Sequence, residues 1–180
     1  MSTITTYTGR CFDPTEAVAE DICIRDIAHA LSLMCRANGH FPHFYSVAQH
    51  CVNCVKEAKA RGYAKRVQLG CLLHDASEAY LSDVTRPVKE WLPYYREVER
   101  RLQNLIDEQW LSPLPTDAER ELIAAVDDAL LYYEFKEISG REIQAVSPPK
   151  HGDLTFAWED FATVEKAYLD LFDELRGKRA

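Results

Sequence analysis

Two imidazoles and two carboxylates stand at helical spacings that turn them toward apolar faces. On a segment opened by Ser46 the apolar stripe is Val47, Cys51, Cys54 and Ala58; His50 falls three residues after Val47 and four before Cys54, at the edge of that inward face. Further on, His74 follows Gly70 by four and Val67 by seven, and Asp75 follows Cys71 by four. On a third segment Leu122, Ile123, Val126, Leu130 and Tyr133 mark the inner face, and Asp127 lies four after Ile123 and four before Leu131. Asp128 turns about 100° further, toward solvent. Burying such groups unpaired costs roughly several kcal/mol, so their positions ask for a reason. Neutral imidazole with carboxylate suits a divalent ion, Mn, Fe, Co, Ni or Zn, with positions left open for water and substrate. Satisfied core histidines with capping or ion-paired aspartates are the plainer alternative, and periodicity leaves both open.

The elements that must position these residues read as helix after helix. The first dozen residues alternate Thr and Tyr and suit one short strand or an extended arm. Ile24, Ile27, Ala28, Leu31 and Met34 recur at helical spacing, which predicts a helix from Ile24 to Arg36 stopped by Asn38-Gly39. A loop, HFPHFY, follows. Ser46-Val47-Ala48-Gln49 is a capping box opening a helix to Arg61-Gly62. The next helix, about Ala64 to Ala79, is apolar nearly all round and so central. Leu81 to Pro93 reads as a loop with a short helical turn, and Tyr94 to Leu111 as a charged amphipathic helix with internal ion pairs on a solvated face. Thr116 and Glu119 form a second capping box, opening a helix to about Ile138. Ser147-Pro148-Pro149 begins the next break. A last helix, Leu154 to Arg176, carries an aromatic-rich face for core packing or self-association. The expected fold is an all-α bundle of about six to eight helices in a single domain over residues 1–180.

Composition sets outer bounds. The chain has 180 residues, 47% apolar and 28% charged, in the range of soluble globular proteins. No apolar run approaches the roughly 18 residues of a membrane span, and the start lacks the pattern of a secretory signal, so no membrane partner and a cytoplasmic location are expected. Lys plus Arg is 21 against 29 Asp plus Glu, net −8, which repels a nucleic-acid polymer but leaves room for a small phosphorylated ligand held by local cations. Of six cysteines, Cys51 and Cys54 form a C-x-x-C without a second matched pair. They read as small buried residues and not as a zinc site.

FYSVAQH ending at His50, LLHDASEAYLSDVTRPVK and AVDDALLYYE resemble the HD-domain metal-dependent phosphohydrolase superfamily, whose pattern is a His, a later His-Asp pair and a distal Asp. The likeness is strongest to the small bacterial and prophage branch related to the 5′-deoxynucleotidases and covers about Asp26 to Glu137. It implies an HD-type core at about 26–138, with the last helix packed on it. It also implies that His50, His74, Asp75 and Asp127 are metal ligands, Asp127 being favoured over Asp128 because Glu134 lies seven positions beyond it. The resemblance assigns Glu78 and Asp83 to the attacking water and the leaving group. Arg36 matches in approximate position an Arg that meets phosphate, but Ala37 stands where the branch has an aromatic neighbour, so a strict 2′-deoxy preference is not implied. Lys89 matches the Lys of the family stretch, with Arg86 nearby, and His40 and His43 flank an aromatic loop at the expected pocket mouth.

The expectation is a divalent-metal-dependent phosphomonoesterase acting on a nucleoside monophosphate or related small ester, with homodimers common in the resembled branch. The alternatives are hydrolysis of a nucleoside di- or triphosphate or an alarmone, and a non-catalytic metal or nucleotide sensor. Retention of Glu78 and Asp83 speaks against the sensor.

Overall fold

Helices carry most of residues 3–177, the part of the chain that the computed structural model describes. They are α1 (Ile24–Leu33), α2 (Val47–Ala60), α3 (Lys65–Leu73), α4 (Glu78–Leu81), α5 (Arg86–Lys89), α6 (Pro93–Trp110), α7 (Asp117–Ser139) and α8 (Phe161–Arg176). The architecture is an all-α bundle. Its sheet is a two-stranded antiparallel hairpin, β1 (Ile4–Thr5) and β2 (Cys11–Phe12), where one strand or an extended arm was expected. Residues 1, 2 and 178–180, the ends of the range expected to be one domain, lie outside the described residues. No described helix is long and apolar enough to cross a membrane.

The capping chemistry sets the two longest site-bearing helices. Ser46 Oγ accepts from Gln49 N at 3.1 Å, satisfying one of the free donors at the start of α2. Thr116 and Glu119 close a reciprocal capping box at the start of α7. That helix ends at Gly140, whose φ of 67° few other residues adopt, so the break begins there and not at Ser147.

Three boundaries differ from the expectation, each for a tertiary reason. α1 stops at Leu33, because Arg36 N donates to Tyr45 O at 2.8 Å and Val47 N to Met34 O at 3.0 Å; this pairing pulls the chain out of the helix and sets Arg36 on a 3-10 turn. α3 stops at Leu73, His74 caps it, and a tight turn leads into α4. Finally, residues 154–160 are not helical, and α8 begins at Phe161. They belong to a strap that runs antiparallel along α2 and is caught by a row of polar side chains one turn apart. Gln49 Nε2 donates to Ala157 O (2.8 Å), Asn53 Nδ2 to Thr155 O (2.7 Å), and Glu57 Oε2 accepts from Gly152 N (2.7 Å). These bonds to α2 take the place of internal helical bonds at residues 152, 155 and 157.

The core is built where α2 and α3 pack on each other and on α1, α7 and α8. α2 is buried almost all round, more widely than its apolar stripe suggested. α8 closes the bundle with Val164, Tyr168, Phe172 and Leu175, and Tyr168 Oη donates to Leu72 O at 2.8 Å. At Gly70, an added Cβ would run into Ile123 Cδ1. The close approach of α3 and α7 at that point holds their next turns, which carry His74 and Asp127, at side-chain reach. The charged helix α6 shows no ion pair between its own residues among those described. Its charges reach other elements instead: Glu99 meets Lys89, Asp107 meets Arg120, and Arg101 donates to Thr15 O and Ala17 O.

Candidate active site

α2, the turn after α3, and α7 bring His50, His74, Asp75 and Asp127 to one place. His50 Nε2 lies 3.2 Å from His74 Nε2, 3.2 Å from Asp127 Oδ1 and 3.8 Å from Asp75 Oδ2. His74 Nε2 is 3.3 Å from Asp75 Oδ2 and 3.8 Å from Asp127 Oδ1. An ion with bonds of about 2.0–2.2 Å gives donor–donor edges of roughly 3.0–3.5 Å, close to these separations.

The outer nitrogens fix both rings. His50 Nδ1 meets Glu134 Oε1 at 2.5 Å and His74 Nδ1 donates to Cys71 O at 2.8 Å. Each imidazole therefore turns Nε2 toward the shared centre, as ligating histidines held by an outer partner do. Glu134, seven residues after Asp127, lies on the same face of α7 two turns on and is fully buried. Its position was legible in the sequence, but its pairing with His50 was not. Asp127 has a second anchor that sequence spacing did not reveal: Arg86 grips Asp127 Oδ2 at 2.6 Å and Asp128 Oδ1 at 2.7 Å. Asp128 itself points outward.

Arg36 sits among these groups rather than beside them. Its guanidinium donates to Asp75 Oδ2 (3.2 Å) and Glu134 Oε2 (3.2 Å), and Nη2 lies 3.1 Å from His50 Nε2. An ion on that nitrogen and this contact are alternatives. Two thiols border the cluster, which their reading as plain core residues did not foresee. Cys54 Sγ is 3.4 Å from His50 Nε2, and the donor atoms of His50, Cys54 and His74, like those of Cys51, His74 and Asp75, lie within 4.8 Å of one another. All six cysteines are unpaired, and burial pushes the Cys51 and Cys54 thiols well up.

The electrostatics divide the acids into two kinds. Burial opposes ionisation of Asp75 and Asp127, yet His74 and Arg36 beside the first, and bonds from His50 and His74 to the second, hold both below the usual carboxylate range. Burial works against charge on His74 too, but Asp75 and Asp127 outweigh it and raise that imidazole to about 9. The cluster thus attracts positive charge. Glu78 and Asp83 go the other way: burial and the neighbouring Asp75 charge push Glu78 well up, and burial raises Asp83. Glu78 Oε1 accepts from Lys89 Nζ at 3.2 Å while Oε2 is buried without a partner. Lys89, expected on a phosphate, instead bridges Glu78 and Glu99, the latter at 2.5 Å.

A chamber of about 610 Å³ reaches the cluster from the α5 side. Asp83 and His40 line it together with Phe41, Val84, Leu131 and Phe135. His43 is not at its mouth, because its Nε2 is 2.9 Å from Phe156 O and so ties down the strap.

No family model matches the chain. The chain is 40% identical over 113 residues to the uncharacterised protein YfdR of Escherichia coli (strain K12), a match covering 63% of this chain and 61% of that protein. It is 28% identical over 82 residues to the 5′-deoxynucleotidase plu3092 of Photorhabdus laumondii, across 44% of this chain and 42% of that one. A third relative is the uncharacterised protein RCAP_rcc00048 of Rhodobacter capsulatus, 36% identical over 140 residues that span 73% of this chain and 70% of its own length. On that extent of likeness, the chain belongs to the family of this Rhodobacter capsulatus protein.

Proposed function

We propose that the protein is a divalent-metal-dependent phosphohydrolase of the HD-domain type, releasing phosphate from a nucleoside monophosphate or a related small ester. The observation that carries this reading is the convergence of His50, His74, Asp75 and Asp127 with both Nε2 atoms turned inward and both outer nitrogens already bonded. Partial likeness to a protein named as a 5′-deoxynucleotidase supports the same class.

These four residues would hold the ion, which when bound supplies Lewis acidity toward a phosphoryl oxygen and a lowered pKa for water. Lys89 fixes Oε1 of Glu78, and the charge of a bound ion would offset the Asp75 charge that favours the protonated form, leaving the unpartnered Oε2 able to accept from the attacking water. Asp83, whose burial favours its protonated form, is the group able to give a proton to the departing oxygen. Arg36 carries a guanidinium fork suited to phosphoryl oxygens once an ion has taken its place beside His50. The aromatic and aliphatic wall formed by Phe41, Phe135, Leu131 and Val84 suits the apolar face of a leaving nucleoside.

The test is phosphate release from a panel of nucleoside monophosphates and simple phosphate esters with added Mn or Co. Release should require the ion and fall at least about 10³-fold in Asp75→Ala. Ion-loaded protein that frees no phosphate from any member of the panel would overturn the reading.

A further inference from the structure

The cluster opens on a second side. A cavity of about 670 Å³ runs from it to the first half of α6 and to Arg120 near the start of α7, sharing Asp75, Glu78, Arg86, Lys89 and Asp127 with the apolar chamber. That face of α6 is exposed, as the sequence suggested, and its exposed Arg96 and Arg100 also form one wall of this cavity. Arg96 and Arg100 lie one turn apart on it. Gln103 fixes the wall's distance from the cluster: its Nε2 donates to Leu73 O at 2.9 Å, and its Oε1 accepts from Ser77 N at 3.2 Å. Both partners flank the turn that carries His74 and Asp75.

The cations around this cavity are not equivalent. Arg86 is committed to Asp127 and Asp128, Lys89 to Glu78 and Glu99, and Arg120 stands 3.6 Å from Asp107. Among the described residues, Arg96 and Arg100 have no carboxylate partner, although the chain carries eight more acids than bases. Two unpaired guanidinium groups facing a cavity that reaches the cluster are placed for an anion other than the phosphoryl group held there.

We infer that the α6 wall is a second phosphate subsite, so that the substrate class is a small ester bearing two phosphates. The inference rests on the phosphohydrolase reading for the identity of the first phosphate. At the cluster, water forms a new P–O bond, the ester P–O bond (or, in a diphosphate attacked at its terminal phosphorus, the anhydride P–O bond) breaks and the leaving oxygen takes a proton. The phosphate on Arg96 and Arg100 is held and unchanged. That second phosphate can sit on a separate carbon or form part of a diphosphate.

Calorimetric binding to the Mn-loaded Glu78→Gln protein tests this without turnover, using AMP, ADP and adenosine 3′,5′-bisphosphate. At least one two-phosphate ligand should bind about tenfold tighter than AMP, and Arg96→Ala/Arg100→Ala should erase that advantage. Whether ADP or the bisphosphate gains identifies where the second phosphate sits. If the double variant fails to fold, Arg100→Gln alone should reduce the advantage about threefold. Equal affinities, an advantage that survives the substitutions, or no binding of any of the three would overturn the subsite. Arginine-dependent binding by a protein that hydrolyses nothing would instead uphold the subsite and remove the phosphohydrolase reading.

Discussion

Each residue of the cluster is constrained from two sides, and this gives its protons a readable role. His74 donates from Nδ1 to Cys71 O and presents Nε2 to Asp75 and Asp127. With its pKa raised to about 9, the ring is an imidazolium at neutral pH in the ion-free protein. That protonation stabilises the ion-free fold below about pH 6.5 and its contribution fades as pH rises through about 9. A divalent ion needs the neutral ring, so binding at pH 7 must expel a proton. Apparent ion affinity should then rise at least about tenfold per pH unit just above pH 7 and level off near pH 9. Calorimetry of Mn binding in buffers of different ionisation enthalpy should count at least about one proton released per ion at pH 7, since Glu134 and Asp127 also favour the protonated form of His50; an affinity independent of pH would show that His74 does not hold the ion. Glu78 is constrained differently, since one oxygen is fixed by Lys89 while the other is buried and free. That asymmetry leaves one oxygen of Glu78 open to a further donor, as the proposed proton transfer requires.

At the scale of elements, the same helix that supplies His50 also holds down the strap. α2 turns His50 toward α7, while Gln49, Asn53 and Glu57 on another face take the backbone of residues 151–157. Glu57 carries the largest share. Burial alone would raise its pKa, but Gly152 N, Arg61 and His151 N bring it down to about 2. A lowered carboxyl stabilises the fold above its unfolded pKa of about 4.5, and that contribution disappears as pH falls toward 2, an amount on the order of 3 kcal/mol. Glu57→Gln should therefore cost about 2 kcal/mol in urea unfolding at pH 7, and the variant should lose less stability between pH 5 and 3 than the unaltered protein does. An unchanged acid limb would mean that the strap is held by other groups. Much of this level was legible beforehand. Ser46 and the Thr116–Glu119 box opened α2 and α7 where the sequence placed them, and Asp127 faced the imidazoles while Asp128 faced away, as helical phase required. What could not be read lay in contacts between distant segments. Leu154, Phe156 and Trp158 recur every two residues, the spacing of an extended chain and not of a helix, and the polar row that holds the strap straight is on α2, about 100 positions earlier. Arg36 left its helix because Tyr45 and Val47 capture the backbone around it, and no local pattern announces that.

For the molecule as a whole, the cluster is an electrostatic concentration that the fold tolerates only with help. Asp75, Asp127 and Glu134 bring three carboxylates around two imidazoles, within a chain already at net −8. Arg36 and the imidazole protons offset part of that charge, and a divalent ion can offset more. Because the four side chains come from α2, the turn after α3, and α7, an ion held by them would tie together three elements that pack on one another. Ligand binding to the folded state alone adds RT ln(1 + [L]/Kd), about 4 kcal/mol at a thousandfold excess over Kd. For a chain of this length that corresponds to a rise in Tm of roughly 10 °C. Thermal unfolding with Mn or Co against excess chelator should show this rise in the unaltered protein. Asp127→Asn should remove the increment, since it takes away an anionic donor while keeping side-chain size and the α7 backbone. It should also lower the chelated Tm, because the carboxylate it deletes is paired with His50, His74 and Arg86, so the reading is the ion-dependent increment and not the absolute Tm. A chelator-insensitive Tm, or an ion-dependent rise that survives Asp127→Asn, would show that the four side chains meet for packing and not for a cation.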